Sequence, residues 1–285
     1  MEGVKVACGQ ITWGRAMPQE QVLAEIAEAG YEGAPAGRFS GQSAKEILDL
    51  YERFGLKPAP GYLGLAFWET DKRAEQLDQA AQQAAFTREL GMTELYVASH
   101  LTPERRAIAG QVTRERATSD EDIARLADLL NEIGKATLKE GVRICFHNHI
   151  GSPVETRYEI DQLFAKVDRG VVFQGADIGH LAWAGDDVVQ FCKDYAGSIL
   201  TLHIKDIDPN VKAEGVAKGW DYKAFSDHGI FAELGEGMVD FPAMFEALGK
   251  GQFKGWIVVE TDVTQKPSAL ISAKISREYL KSIGV

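Results

Sequence analysis

The stretch VRICFHNHIGSPVET, residues 142–156, carries the reading of the fold. It starts as an apolar run, closes on two histidines one residue apart, turns at Gly151 and delivers a lone Glu155. A short apolar run bounded by turn residues reads as a buried strand, and polar residues at one end only mark where it leaves the core. The segment before it, SDEDIARLADLLNEIGKATLKEG, has the other period. Ile123, Leu126, Leu129, Leu130 and Ile133 fall on one helical face, opened by Ser119 and Asp120 and stopped at Gly141. Helix, then strand, then turn is one unit of a longer alternation.

Working outward, the same signals predict strands at 4–11, 31–36, 56–65, 94–99, 142–149, 171–179, 199–206 and 255–262. Helical patterns lie between them, such as PQEQVLAEIAEAG from Pro18 to Gly30, and KPSALISAKISREYLKSIG closes the chain. Eight strands alternating with about eight helices predict a parallel sheet with crossover helices. An open doubly wound sheet would carry a glycine-rich phosphate turn after its first strand, and QITWGRAMP has no GxGxxG. The expectation is therefore an α/β fold, a single (β/α)8 TIM barrel over residues 1–285. One connection, 207–239, is outsized. Its Trp220, Tyr222 and Phe231 suit either a lid over a ligand or a contact in a homo-oligomer.

Composition excludes several classes. The 285 residues are 45% hydrophobic and 26% charged, the balance of a soluble globular chain. A net charge of −11 repels phosphate backbones, so nucleic acid is not an expected partner. Cys8, Cys145 and Cys192 are far apart and form no CxxC, which fits a reducing cytoplasm rather than a disulfide framework. No signal segment is evident at the start, and no run reaches the roughly 18 apolar residues of a membrane span.

In such a barrel the strand C-termini converge on one rim. The fifth strand ends in His147 and His149, followed by Glu155; the sixth in DIGH, with Asp177 and His180. The seventh ends in HIKD, with His203, Lys205 and Asp206, and the eighth in VETD, with Glu260 and Asp262. Alternation puts Thr201, His203 and Lys205 on one face, and Val258, Glu260 and Asp262 on one face. Trp13, Tyr62 and His100 are candidate walls from the early strands. Alone, each residue has an ordinary structural use: a half-buried histidine, a capping aspartate, or Lys205 paired with its neighbour Asp206. Together, Glu155, Asp177, His203 and Glu260 make three carboxylates and one imidazole. That set suits Mn²⁺ first, with Mg²⁺, Co²⁺, Fe²⁺ or Zn²⁺ as alternatives.

The motifs HNHIGSPVET, DIGHLAWAG, HIKD, GEGMVDFPAMFEAL and GWIVVETD, in this order, resemble the xylose-isomerase-like TIM-barrel superfamily of sugar phosphate isomerases, epimerases and inosose dehydratases. The stretch YKAFSDHGIFAELGEGMVDF is most similar to the inosose dehydratase branch. That branch often carries glutamine near the position of Glu155 and a triple histidine where this chain has His147, Asn148 and His149. The resemblance implies Glu155, Asp177, His203 and Glu260 as metal ligands, with His149 and His180 binding substrate or lying beside the metal. Lys205 and Trp13 complete the candidate substrate contacts. The expected chemistry is enediolate formation on a sugar or keto-polyol, with Glu155 and Glu260 as acid and base. Two facing bases give an isomerase or epimerase; one base and one acid give a lyase that eliminates water from 2-keto-myo-inositol or a related keto-sugar. An endonuclease of the same barrel and a non-catalytic sugar-binding protein are the remote alternatives.

Overall fold

The computed structural model describes residues 3–37 and 41–285. Its strands are β1 (Lys5–Cys8), β2 (Gly33–Pro35), β3 (Lys57–Ala59), β4 (Tyr62–Leu65), β5 (Glu94–Ser99), β6 (Arg143–Phe146), β7 (Val172–Gln174), β8 (Leu202–Ile204), β9 (Asp206–Ile207), β10 (Phe231–Ala232) and β11 (Trp256–Val259). Parallel pairing runs β3-β2-β1-β11-β8 and β4-β5-β6-β7. Bridges Gln174↔Ile199 and Asp177↔His203 join β7 to β8, so the eight predicted staves close into a TIM barrel.

The third stave is one predicted strand, 56–65, that the structure breaks into β3 and β4. Pro60 has no N–H to give to a ladder. At Gly61 the backbones approach so closely that a Cβ would lie 2.3 Å from the Ala36 carbonyl oxygen. The chain pairs with β2 before this point and with β5 after it, through Ala36 N–H to Ala59 O (3.1 Å) and Tyr96 N–H to Gly61 O (2.9 Å).

Strand alternation sorts the core into two. Ile144, Phe146, Ile204, Ile257 and Val259 face the helices, and Ile123, Leu126, Leu130 and Ile133 of the helix Asp120–Leu138 cover the part of this layer on β6 and β7. Each such fully buried side chain contributes about 1.5–3 kcal/mol. The intervening residues Ala7, Ala59, Tyr96, Cys145, Trp256 and Val258 form a separate apolar plug inside the barrel. A polar layer begins where this plug ends.

The connection 207–239 is not an uninterrupted loop. It holds helices Pro209–Lys218 and Tyr222–Asp227, each capped by an aspartate (Asp208, Asp221), and β10, which pairs antiparallel with β9. Asp206 ties this unit down: its carboxylate accepts the N–H groups of Ile207, Gly235, Gly237 and Val239 at 2.9–3.0 Å. No helix among the described residues is long and apolar enough to cross a membrane.

Candidate active site

Four of the six histidines and four charged side chains meet at the C-terminal rim of the staves. His147 follows β6 on the inward face it shares with Cys145, and His203 lies within β8. The Tyr96 ring, its hydroxyl 2.5 Å from Thr201 Oγ1, meets both imidazoles edge-on, with centroids at 5.7 and 4.3 Å. Asn148 points the other way and exchanges two hydrogen bonds with the Asp177 backbone (3.0 and 3.2 Å). That bond pair explains a residue between the histidines whose job is to align two staves.

His147, Asp177 and His203 each place one donor atom within 4.8 Å of the others, and all three are buried. Asp177 Oδ1 caps the helix Ile178–Ala184 by accepting the His180 N–H at 3.0 Å, while Oδ2 accepts no hydrogen bond and is met by the Lys205 ammonium at 3.2 Å. His203 Nδ1 lies 3.0 Å from Glu260 Oε2, and its Nε2 is unpartnered. An unsatisfied buried polar atom costs roughly 1–3 kcal/mol, so such atoms persist where something else completes them. Burial, with the charges of His203 and His149 beside it, pushes the His147 imidazole well below its usual range, which keeps it in the neutral, lone-pair-donating form.

Lys205 sits at the centre of the charges. Its Nζ is 3.2 Å from Asp177 Oδ2, 3.2 Å from Glu260 Oε2, 2.6 Å from Asp262 Oδ1 and 3.3 Å from His180 Nε2. Burial alone would discharge it, but Asp177, Asp262 and Glu260 hold the ammonium protonated well above the usual lysine range. Burial raises Glu260, yet His203 and Lys205 together outweigh it and hold the carboxyl well below its usual range. Asp177 is pushed up to about 6 by burial, against the pull of Lys205 and His203. Two glycines make room for this packing: a Cβ at Gly179 would lie 2.0 Å from Lys205 Cγ, and one at Gly9 would lie 2.3 Å from Glu260 Oε1. Three carboxylates facing one ammonium leave the centre short of positive charge. With the unpartnered Nε2 of His203, this fits a divalent cation held by His147, Asp177 and His203 with Glu260 adjoining.

A second group, His149, His180 and Asp262, lies on the far side of Lys205, again with donors within 4.8 Å. His149 Nδ1 is 2.6 Å from the Ile150 carbonyl oxygen, so Nδ1 donates and Nε2 carries the free lone pair. Burial first, then Lys205, lowers His149 to about 4. Tyr222 stacks on His149 (6.2 Å, 24°) and Phe231 meets His180 edge-on (6.3 Å), so two of the three aromatics of 207–239 turn inward. Trp220 instead stacks on His228 at 4.0 Å.

The structure gathers Asp177, His203, Glu260, Lys205, His180 and His149 as the sequence predicts, and it separates two others. Glu155 is not drawn into the cluster: its oxygens accept the N–H groups of Gly110 (2.7 Å) and Gly151 (2.8 Å), and Arg105 lies 3.8 Å away. Gly151 turns the chain away from the rim, and Glu155 follows it. Trp13 is buried with its indole N–H committed to Glu25 Oε2 at 2.7 Å. Lys205 is not paired with Asp206, whose carboxylate is taken by backbone amides. His147, which the sequence does not place among the ligand candidates, is a member of the group that could hold an ion. The period of two, applied to VRICFHNH as it was to the last two strands, puts Cys145 and His147 on the inward face and finds it.

Comparison with known proteins agrees with this fold. The family model described as "Xylose isomerase-like TIM barrel" matches residues 23–283. The rhizopine catabolism protein MocC of Rhizobium meliloti is 31% identical over 97% of this chain and 87% of its own length. An inosose dehydratase of Geobacillus kaustophilus is 28% identical over 92% of this chain and 86% of its own length. Among solved structures, the IOLI protein, described with a binding zinc atom, superposes with a TM-score of 0.71 at 16% identity, covering 98% of this chain and 97% of that one. With its closed barrel, its polar rim and a family match across nearly the whole sequence, this chain belongs to the xylose isomerase-like TIM barrel family.

Proposed function

We propose that this protein is a divalent-metal-dependent lyase that removes water from a cyclic keto-polyol of the inosose kind. The observation that carries the reading is that the carboxylate of Glu260 stands 3.2 Å from the Lys205 ammonium, which in turn reaches the His180 imidazole at 3.3 Å, so that a base and an acid lie side by side. The sequence led first to an isomerase or epimerase, which needs a second base on the other face of the substrate. Glu155, the expected second base, is committed to two backbone amides. The inosose dehydratases among the relatives support the same choice.

His147, Asp177 and His203 would hold the metal, which when bound would polarise a substrate carbonyl and acidify the neighbouring C–H. Two imidazoles and one carboxylate suit Mn²⁺, Fe²⁺, Co²⁺ or Zn²⁺ better than Mg²⁺. Glu260, ionised at neutral pH, takes the proton from that carbon. Lys205, kept protonated by its three carboxylates, gives a proton to the departing β-hydroxyl, directly or through His180 at 3.3 Å. The C–H and C–O bonds break, a C=C bond forms, and water leaves. Tyr222, Phe231 and Trp183 wall the site on one side and exclude bulk water. A cytoplasmic setting fits three cysteines that are all free and buried.

The test is to incubate purified protein, supplied with Mn²⁺, with 2-keto-myo-inositol and separately with free ketoses. Loss of water and a new enone absorbance from the inosose are expected. Interconversion of a ketose at C3 or C2 without dehydration would instead establish the epimerase.

A further inference from the structure

Glu155 has no place in the chemistry above, yet it is fully buried, and besides its neighbours Gly151 and Glu159 it meets a single segment of the rim, at Gly110 and Arg105. Residues 101–118, between β5 and the helix Asp120–Leu138, reach Gly151, Trp183 and Trp220. The ends of this segment are fixed without Glu155. Arg105 makes a two-pronged pair with Glu159 (2.8 and 2.9 Å), Thr118 N–H donates to Glu159 Oε1 (2.9 Å), and Thr102 N–H donates to Gly151 O (3.0 Å). The tip is different. Gly110 N–H donates to Glu155 Oε1 at 2.7 Å, while the other oxygen takes Gly151 N–H at 2.8 Å. Gly110 has a φ of +69°, and a Cβ there would lie 2.4 Å from Trp183 Nε1, so the tip rests on the Trp183 indole. From that seat Gln111 Nε2 donates to Trp220 O at 2.8 Å, and the Arg106 guanidinium lies 5.4 Å from the Tyr222 ring centre. Tyr222 is the residue stacked on His149.

We infer that Glu155 is a positioning residue: it latches the tip of residues 101–118 onto Trp183, and so fixes the Tyr222 wall against which substrate packs. A chain of contacts runs from Glu155 through Gly110 and Gln111 to the Trp220–Tyr222 unit, 65 or more residues away in sequence. Its carboxylate reaches no atom of the metal-binding group. The role predicts a defect in substrate binding with the metal left in place.

Two variants test it: Glu155→Gln, which cannot accept both N–H groups, and Gly110→Ala, which forces the tip off Trp183 while leaving Glu155 intact. Both are first checked by circular dichroism for an intact fold. The first readout is limited trypsin digestion at the exposed Arg106, Arg114 and Arg116, which rises about tenfold or more if the tip opens locally. The second is bound metal per chain, which equals that of the unsubstituted protein. The third is steady-state kinetics on whichever substrate turns over, where KM rises at least about fivefold and kcat changes less than about twofold. Unchanged digestion in both variants overturns the latch, and loss of metal in Glu155→Gln shows that Glu155 is a ligand after all. The digestion and metal readouts need no substrate, so they stand apart from the dehydration reading.

Discussion

Two glutamates, the half-buried Glu260 and the fully buried Glu155, sit at the same end of the barrel and behave in opposite ways. Around Glu260 are an imidazole and an ammonium, and their charges override burial and keep the carboxylate ionised. Around Glu155 the favourable partners are two backbone N–H groups and an Arg105 already paired with Glu159, so burial wins and pushes the carboxyl up to about 7. Mobile charges concentrated in one place prepare a group for chemistry, whereas fixed dipoles prepare it to hold a segment of chain. Residue type alone does not separate these roles. Partners do.

The largest effect expected from breaking the Glu260 side is loss of turnover. Glu260→Gln should lower kcat by about a thousandfold or more, the range for removing a general base from a preorganised site. The fold is expected to survive, as circular dichroism would check. Gly179→Ala comes next. Its new Cβ would lie 2.0 Å from Lys205 Cγ, forcing the ammonium out of its carboxylate nest, and a misplacement of about 1 Å typically costs on the order of a hundredfold in kcat. Retained activity in that variant would mean that Lys205 does not act from the position seen.

The smallest effect sharpens the Glu155 side through pH. A carboxyl whose folded pKa lies above its unfolded value adds stability below the unfolded value, near 4.5, and that contribution is lost as pH rises through about 7. Thermal melts of the protein and of Glu155→Gln should therefore diverge between pH 5 and pH 8, the unsubstituted protein losing ground by at most about 3 kcal/mol. Glu260 has the opposite sign: its folded pKa is depressed, so its contribution is present above the unfolded value and lost as pH falls below it. A Glu155→Gln melt that tracks the unsubstituted protein across this range would show that Glu155 is not titrating there.

The sequence shows the eight staves because buried parallel strands write themselves as short apolar runs, and it shows Asp177, His203, Lys205 and Glu260 because each lies on a stave or within three residues of its end. Period-two alternation then sets the direction of the side chain. Glu155 lies eight residues beyond His147, past Gly151 and Pro153, where no period constrains direction. The break at Pro60–Gly61 was written in the sequence as a proline and a glycine, but its partner, the Ala36 carbonyl, is 25 residues away. The aromatic wall was legible only as composition. Which way Tyr222 and Trp220 point is decided by the Asp206 carboxylate, the aspartate caps and the Gln111 contact, all long-range.

Under the proposed function, the metal ligand from the histidine–asparagine–histidine stretch would be His147, not the later Glu155. Metal content per chain, measured by elemental analysis after loading with Mn²⁺ and with Zn²⁺ and removal of free ion, decides it. One bound ion in the unsubstituted protein and in Glu155→Gln, with none in His147→Ala or His203→Ala, is the predicted result. An ion retained in His147→Ala and lost in Glu155→Gln would contradict it.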